Sequence, residues 1–410
     1  MTLANIKFTD TSSMLCKIMA CAAIFSIWLP TAVPNVFLFF FLIFWLFSGN
    51  YKITYDLAKN NQIAIISICL FLLFCAGLMY TTASWDDSSD ILKKYAKLAY
   101  IPLLMYAFHE KKWKNYGYIS LMAGITLMLL MSYLHMLGIL EPEDIYVGSY
   151  AGQTDFVVFR SRIAHSMLVA FGVYMYVKHA IEIPKYRTLL ISLAVLGVCN
   201  ILFMVTARTG IAVLFVLILH LCFTCLDWKK MILVCVATFL LIGSSVFVDF
   251  FGFSRLNETI SEVKKYQQGN YRTSMGVRLF FIEGGWAILK DNPVFGKGTG
   301  SFKTEIKKYI KEKSIIHEGS YVTNNPHNGY VSVASQIGFL GLAILLWLGV
   351  QQWLTSNCLE PIYRDAAKAA LITSAVGNLF NSVLMNHTQG IFFILLTALL
   401  FSSIQNQKDV

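Results

Sequence analysis

Charge is scarce in this chain. Asp, Glu, Lys and Arg make up 14% of its 410 residues, where a soluble protein carries about a quarter. The few charges are clustered, so long stretches have none, and a soluble globular fold is excluded. Also missing is the alternating in-out pattern of a membrane β-barrel, which leaves helices as the only way to satisfy the backbone in lipid. The N-terminus lacks a basic stretch followed by an apolar run and a small-residue cleavage site, so it is expected to be retained. Nine cysteines are present, but none falls on a segment expected to face outside, which excludes a disulfide framework. Cys222 and Cys225 have CxxC spacing inside an apolar helix without thioredoxin-like surroundings, and no redox role is expected of them.

Apolar residues fill the space. They make up 57% of the chain, in windows such as VPNVFLFFFLIFWLF (33–47) and MILVCVATFLLIGSSVFV (231–248). Spanning the hydrocarbon takes about 20 apolar residues, somewhat fewer where flanking residues snorkel. The expected fold is an all-α polytopic membrane protein with about twelve spans. These are placed at 14–30, 33–48, 62–81, 95–108, 117–138, 163–180, 187–206, 209–226, 230–250, 329–354, 365–384 and 388–404. Three regions result: residues 1–250 with spans one to nine, a large extramembrane loop over 251–328 with short helices, and residues 329–410 with three spans and a short tail. Lysines and arginines crowd alternate short loops (Lys52, Lys59; Lys111, Lys112, Lys114; Lys178, Lys185, Arg187; Lys229, Lys230; Arg364, Lys368). By the positive-inside bias those loops are cytoplasmic, as are both termini, and the long loop is outside.

The middles of most spans hold almost no ionisable groups, which points away from a solute carrier and toward chemistry at the outer face. Residues 252–327 carry twelve Lys/Arg and seven Asp/Glu, a net of +5. That surplus fits either a solvated surface or attraction to phosphate-bearing head groups. MGVRLFFIEGGWAILKDN (275–292) predicts a helix too polar to span, with Arg278 held at the interface. The following GKGTG matches neither the dinucleotide nor the P-loop spacing and reads as a turn rather than a phosphate nest. TARTG (206–210) puts Arg208 in a connection too short to leave the membrane surface. A charge there is paired, functional, or an interfacial snorkelling group, and arginine suits bidentate phosphate recognition. FRSRIAH (159–165) offers Arg160 and Arg162 for substrate contact or for head-group anchoring.

NNPHNGYV (324–331) ends the loop. Pro326 biases Asn325 toward an extended conformation, so a helix is expected to start at about His327, with Asn325 and Asn328 able to orient the imidazole. Histidine titrates near neutrality and serves as a general base. With arginines on neighbouring external ends, the set reads as a base plus clamps for a phosphate leaving group.

TARTG, TSMGVRLFFIEGGWAILKDNPVFGKGTGSF (273–302) and NNPHNGYVSVASQIGFLGL (324–342) together resemble the O-antigen ligase and O-antigen polymerase superfamily of bacterial membrane glycosyltransferases, over roughly residues 195–350. The resemblance implies a fold similar to the GT-C class and an inner-membrane enzyme whose site faces the periplasm. It implies an undecaprenyl-pyrophosphate-linked polysaccharide as donor, a lipid A–core sugar hydroxyl as acceptor, membrane lipids as surroundings and no nucleic-acid partner. Transfer would proceed with inversion, without nucleotide sugar, cofactor or metal. The chain is in keeping with that: it has no external Asp-x-Asp and no tight His/Asp/Glu cluster. His327 would be the catalytic base and Arg208 and Arg278 the pyrophosphate clamps. Arg160, Arg162 and Asn328 are further candidates for substrate binding. A polymerase and a protein O-oligosaccharyltransferase are the alternatives within the enzyme class, and a polysaccharide flippase or other transporter is the alternative from another class.

Overall fold

The computed structural model describes residues 3–141, 155–205, 207–225, 227, 254–313 and 322–403. Among these, regular structure is helical throughout. The first half contributes α1 (Leu3–Phe25), α2 (Ala32–Ser48), α3 (Tyr51–Lys59), α4 (Gln62–Gly77), α5 (Trp85–Tyr95), α6 (Tyr100–Phe108) and α7 (Lys111–Met136). There follow α8 (Arg162–Glu182), α9 (Arg187–Cys199), which runs on into a π-turn at Asn200–Met204, and α10 (Arg208–Cys225). The long loop holds α11 (Ser254–Gln267), α12 (Ser274–Asp291) and α13 (Phe302–Glu312), and the chain finishes with α14 (Gly329–Ser356), α15 (Pro361–Phe380) and α16 (His387–Phe401).

The all-α membrane architecture stands. Helices underlie eleven of the twelve expected spans, and the twelfth, 230–250, lies outside the described residues. Five are long and apolar enough to cross a bilayer alone, and α2 with α3 would make a sixth if that pair, bent by 109°, is one span. The count of twelve is therefore not established. The expected span 95–108 takes in only the last residue of the polar helix α5, then a 3₁₀ turn at Ala96–Ala99 and the nine-residue α6. At 1.5 Å per residue α6 reaches about 14 Å, half the hydrocarbon thickness. Its seven buried residues, Ile101 and Pro102 and then Leu104–Phe108, explain its apolarity: it is core rather than a lipid-facing wall.

Helix α8 is the hub, buried along most of its length and packed against α9, α10 and α15. Close approach is permitted by small residues, as at Gly210 on α10 against Ser166 and Gly377 on α15 against Met167. Without water to drive helices together, such van der Waals contact holds a membrane bundle. The loop helices have a core of their own, with Phe280, Phe281 and Ile288 of α12 meeting Phe302, Ile306 and Ile310 of α13. It docks on α14 through Val331, which lies where a side chain at Gly285 would be.

The PVFGKGTG turn (293–300) is a structural wedge. Helix α14 breaks at Ile337 and Gly338, the latter at φ 67°, ψ −168°. The turn takes over the hydrogen bonds this break frees. Lys297 N–H donates to Ser335 O and Gly298 N–H to Gln336 O, while Phe339 N–H donates to Pro293 O. Its other side caps α4: Thr299 donates through N–H to Gly77 O and through Oγ1 to Phe74 O, two carbonyls left open at that helix end. The amides of residues 297 to 300 are all committed to protein acceptors, the last to Gln336 Oε1. The turn expected from sequence is found, and it offers no free nest for phosphate.

Candidate functional site

His327 sits in the left-handed region at φ 52°. For a non-glycine residue such a conformation costs on the order of 1–3 kcal/mol and persists only where the surroundings impose it. The imposing groups are the asparagines before it. Asn325 Oδ1 accepts the His327 N–H at 2.9 Å. Asn324 reaches Asp87 of α5 at 2.9 Å, and Lys303 of α13 binds the same carboxylate. Asn328 is the N-cap of α14, accepting from the Tyr330 and Val331 amides while its Nδ2 donates to Leu379 O. The helix thus begins at Gly329, two residues later than expected, and Asn328 is engaged at both ends in holding that start.

The imidazole stacks on Phe281 of α12, ring centroids 6.3 Å apart and 23° between planes. Burial and the charge of Arg278 push its pKa below the ordinary histidine value, and the Asn381 side chain works weakly the other way. Burial and that charge both favour the neutral imidazole, the form a base requires.

Arg278 projects from the first turns of α12. Among the described residues it makes no hydrogen bond or ion pair. Partial burial and the nearby charges of Arg208 and Arg162 lower its pKa, with Glu262 opposing. Arg208, the first residue of α10, donates Nη1 to Glu262 Oε2 at 3.0 Å and Nη2 to Glu262 Oε1 at 3.2 Å, and Nη2 also lies 3.0 Å from Glu258 Oε2. Arg162 opens α8, more than half exposed, with Asp155 at 3.5 Å.

The structure thus gathers His327, Arg278, Arg208 and Arg162 at one rim. It does not bring Arg160 there. That side chain is 1% exposed and donates Nε and Nη2 to Ile27 O at 3.1 and 2.8 Å, bracing the end of the first span. Several partners escaped the sequence reading. Glu258 and Glu262, four apart on one face of α11, were counted only as loop charge. Asn381 follows α15 in a turn that carries no motif. Phe281 lies in the apolar stretch of its helix and carries no signal of its own.

The bundle, with apolar helices long enough to span, is that of an all-α membrane protein, and it carries three arginines around a histidine at one rim. Residues 191–346 match the family model described as O-antigen ligase. The match covers Arg208, Arg278 and His327, and it supports a likeness to the O-antigen ligase and polymerase superfamily of glycosyltransferase-like enzymes. No curated protein matches the chain.

Proposed function

We propose that this protein is an O-antigen ligase that moves a polysaccharide from undecaprenyl pyrophosphate to a sugar hydroxyl of lipid A–core, at the periplasmic face of the inner membrane. The observation that carries the reading is Arg278: a half-buried guanidinium that makes no hydrogen bond or ion pair among the described residues, beside a histidine whose neutral form is favoured. An anion belongs there, and a base stands next to it. The acceptor hydroxyl attacks the anomeric carbon while its proton passes to the His327 imidazole. The bond from that carbon to the pyrophosphate oxygen breaks, and its electron pair leaves with the pyrophosphate. Arg278 and Arg208 stabilise the charge that develops there, with Arg162 at the exposed edge. Donors fixed in advance where charge develops are worth about two to three orders of magnitude each.

The test uses purified full-length protein, undecaprenyl-pyrophosphate-linked glycan and lipid A–core. Wild type is expected to give a higher-mass lipopolysaccharide ladder. His327→Ala is expected to lose at least ~100-fold in rate while remaining inserted and folded. Elongated lipid-linked glycan with no transfer to the core would make the enzyme a polymerase. A fully active, well-folded His327→Ala would remove the base assignment.

A further inference from the structure

Two carboxylates hold Arg208, and they differ. Glu262 is buried at 7% exposure and binds the guanidinium through both oxygens. Its Oε2 also accepts the Met275 N–H at 2.9 Å, in the first turn of the helix that carries Arg278. One carboxylate therefore ties the start of α10 to the start of α12, and with them the two arginines. Burial would raise its pKa, but donation from Arg208 and Met275 and the charge of Arg278 outweigh that and hold it below the ordinary carboxylate value. It stays charged while the rim is intact. Glu258, one helical turn earlier, is about half exposed at its side chain and meets Arg208 through a single oxygen. At so exposed a contact, a better-charged oxygen from the substrate can compete for Arg208.

We infer that Glu262 is a positioning residue that registers Arg208 with Arg278 for one anion, and that Glu258 occupies the outer donor of Arg208 until a phosphate oxygen replaces it. The inference rests on the pyrophosphate-binding role proposed above for the two arginines. It assigns opposite signs to two chemically identical changes on one helix. Removing the fixed carboxylate leaves Arg208 free to swing and α12 without its tether, so the donor binds more weakly. Removing the displaceable one removes a competitor, so the donor binds more tightly.

Glu262→Gln, Glu258→Gln, His327→Ala and wild type would be compared as full-length protein in nanodiscs. Binding of undecaprenyl pyrophosphate is measured directly, and turnover is separated into kcat and donor KM. Glu262→Gln is expected to raise Kd and KM at least ~10-fold, as for a broken buried charge pair, with kcat changed far less. Glu258→Gln is expected to lower both by up to about 5-fold, the range of an exposed ion pair. His327→Ala should bind like wild type and not turn over. Shifts of the same sign in the two glutamate variants, or no shift in either, overturn the inference and leave the ligase reading intact. If Glu262→Gln does not yield monodisperse protein, Glu258→Gln decides alone: unchanged or weaker binding overturns the inference. Wild type that neither binds the pyrophosphate nor transfers glycan removes the functional reading and the inference with it.

Discussion

At the scale of the residue, the imidazole of His327 is set by its electrostatic neighbours. Its folded-state pKa lies below 6.5, with burial the larger cause and Arg278 the second. The pH profile of kcat/KM reports the free enzyme. It should be flat above pH 6.5 and fall as pH drops through the lowered value. A bound pyrophosphate offsets the charge of Arg278, so kcat should titrate at a higher pH than kcat/KM. Coincident midpoints at or above 6.5 would show that the ring does not feel Arg278. Stability carries the same sign: the neutral ring costs nothing above the unfolded value, and the fold weakens as pH falls below it. The identities of the rim residues were legible in sequence because His327, Arg278 and Arg208 are polar groups at the ends of apolar runs. Their orientations were not. Arg160 and Arg162 stand two apart in FRSR, and only packing decides that the first turns inward to Ile27 while the second faces the rim. Asn328 looked like a partner for His327, yet an asparagine just before an apolar helix is also the ordinary N-cap signal.

At the scale of the element, the broken helix α14 and its wedge depend on glycine. Gly338 holds φ 67°, ψ −168°, and an added Cβ would overlap the Val294 carbonyl. The backbone region alone costs a non-glycine residue about 1–3 kcal/mol, and the overlap adds to it. Gly338→Ala should therefore lower the thermal midpoint of the detergent-purified protein and reduce turnover, because the turn it displaces leads into α13 and Lys303. An unchanged midpoint would mean the break is not held by the wedge. None of this was visible as periodicity: SVASQIGFLGLAILLWLGV reads as one continuous apolar helix. The hydrogen bonds lost at 337–338 are supplied by residues some forty positions earlier. The same reason hides the limits of α6, whose apolar residues serve the protein core and not the bilayer.

At the scale of the whole molecule, the large scarcely charged windows made the helical membrane fold plain, while the number of crossings depends on lengths that composition does not fix. Orientation can be read by labelling. In a background with the exposed Cys69, Cys225 and Cys358 replaced by serine, single cysteines at Asn270 and Lys307 should react with a membrane-impermeant maleimide in spheroplasts. Cysteines at Lys52 and Lys111 should react only after lysis. The reverse pattern would place the arginine rim in the cytoplasm and end the periplasmic assignment.

The wedge also has a bearing on biosynthesis. Phe74 O is bonded by Thr299, 225 positions later in the chain. At a synthesis rate of about 5–20 residues per second, α4 waits roughly 10–45 s in the membrane with that end unsealed. Until then, the carbonyls of Phe74 and Gly77 must be served by water or by the insertion machinery. Maturation thus includes the arrival of a short glycine turn at a helix made long before, and a ribosome stalled ahead of it would leave a nascent chain open at its fourth helix.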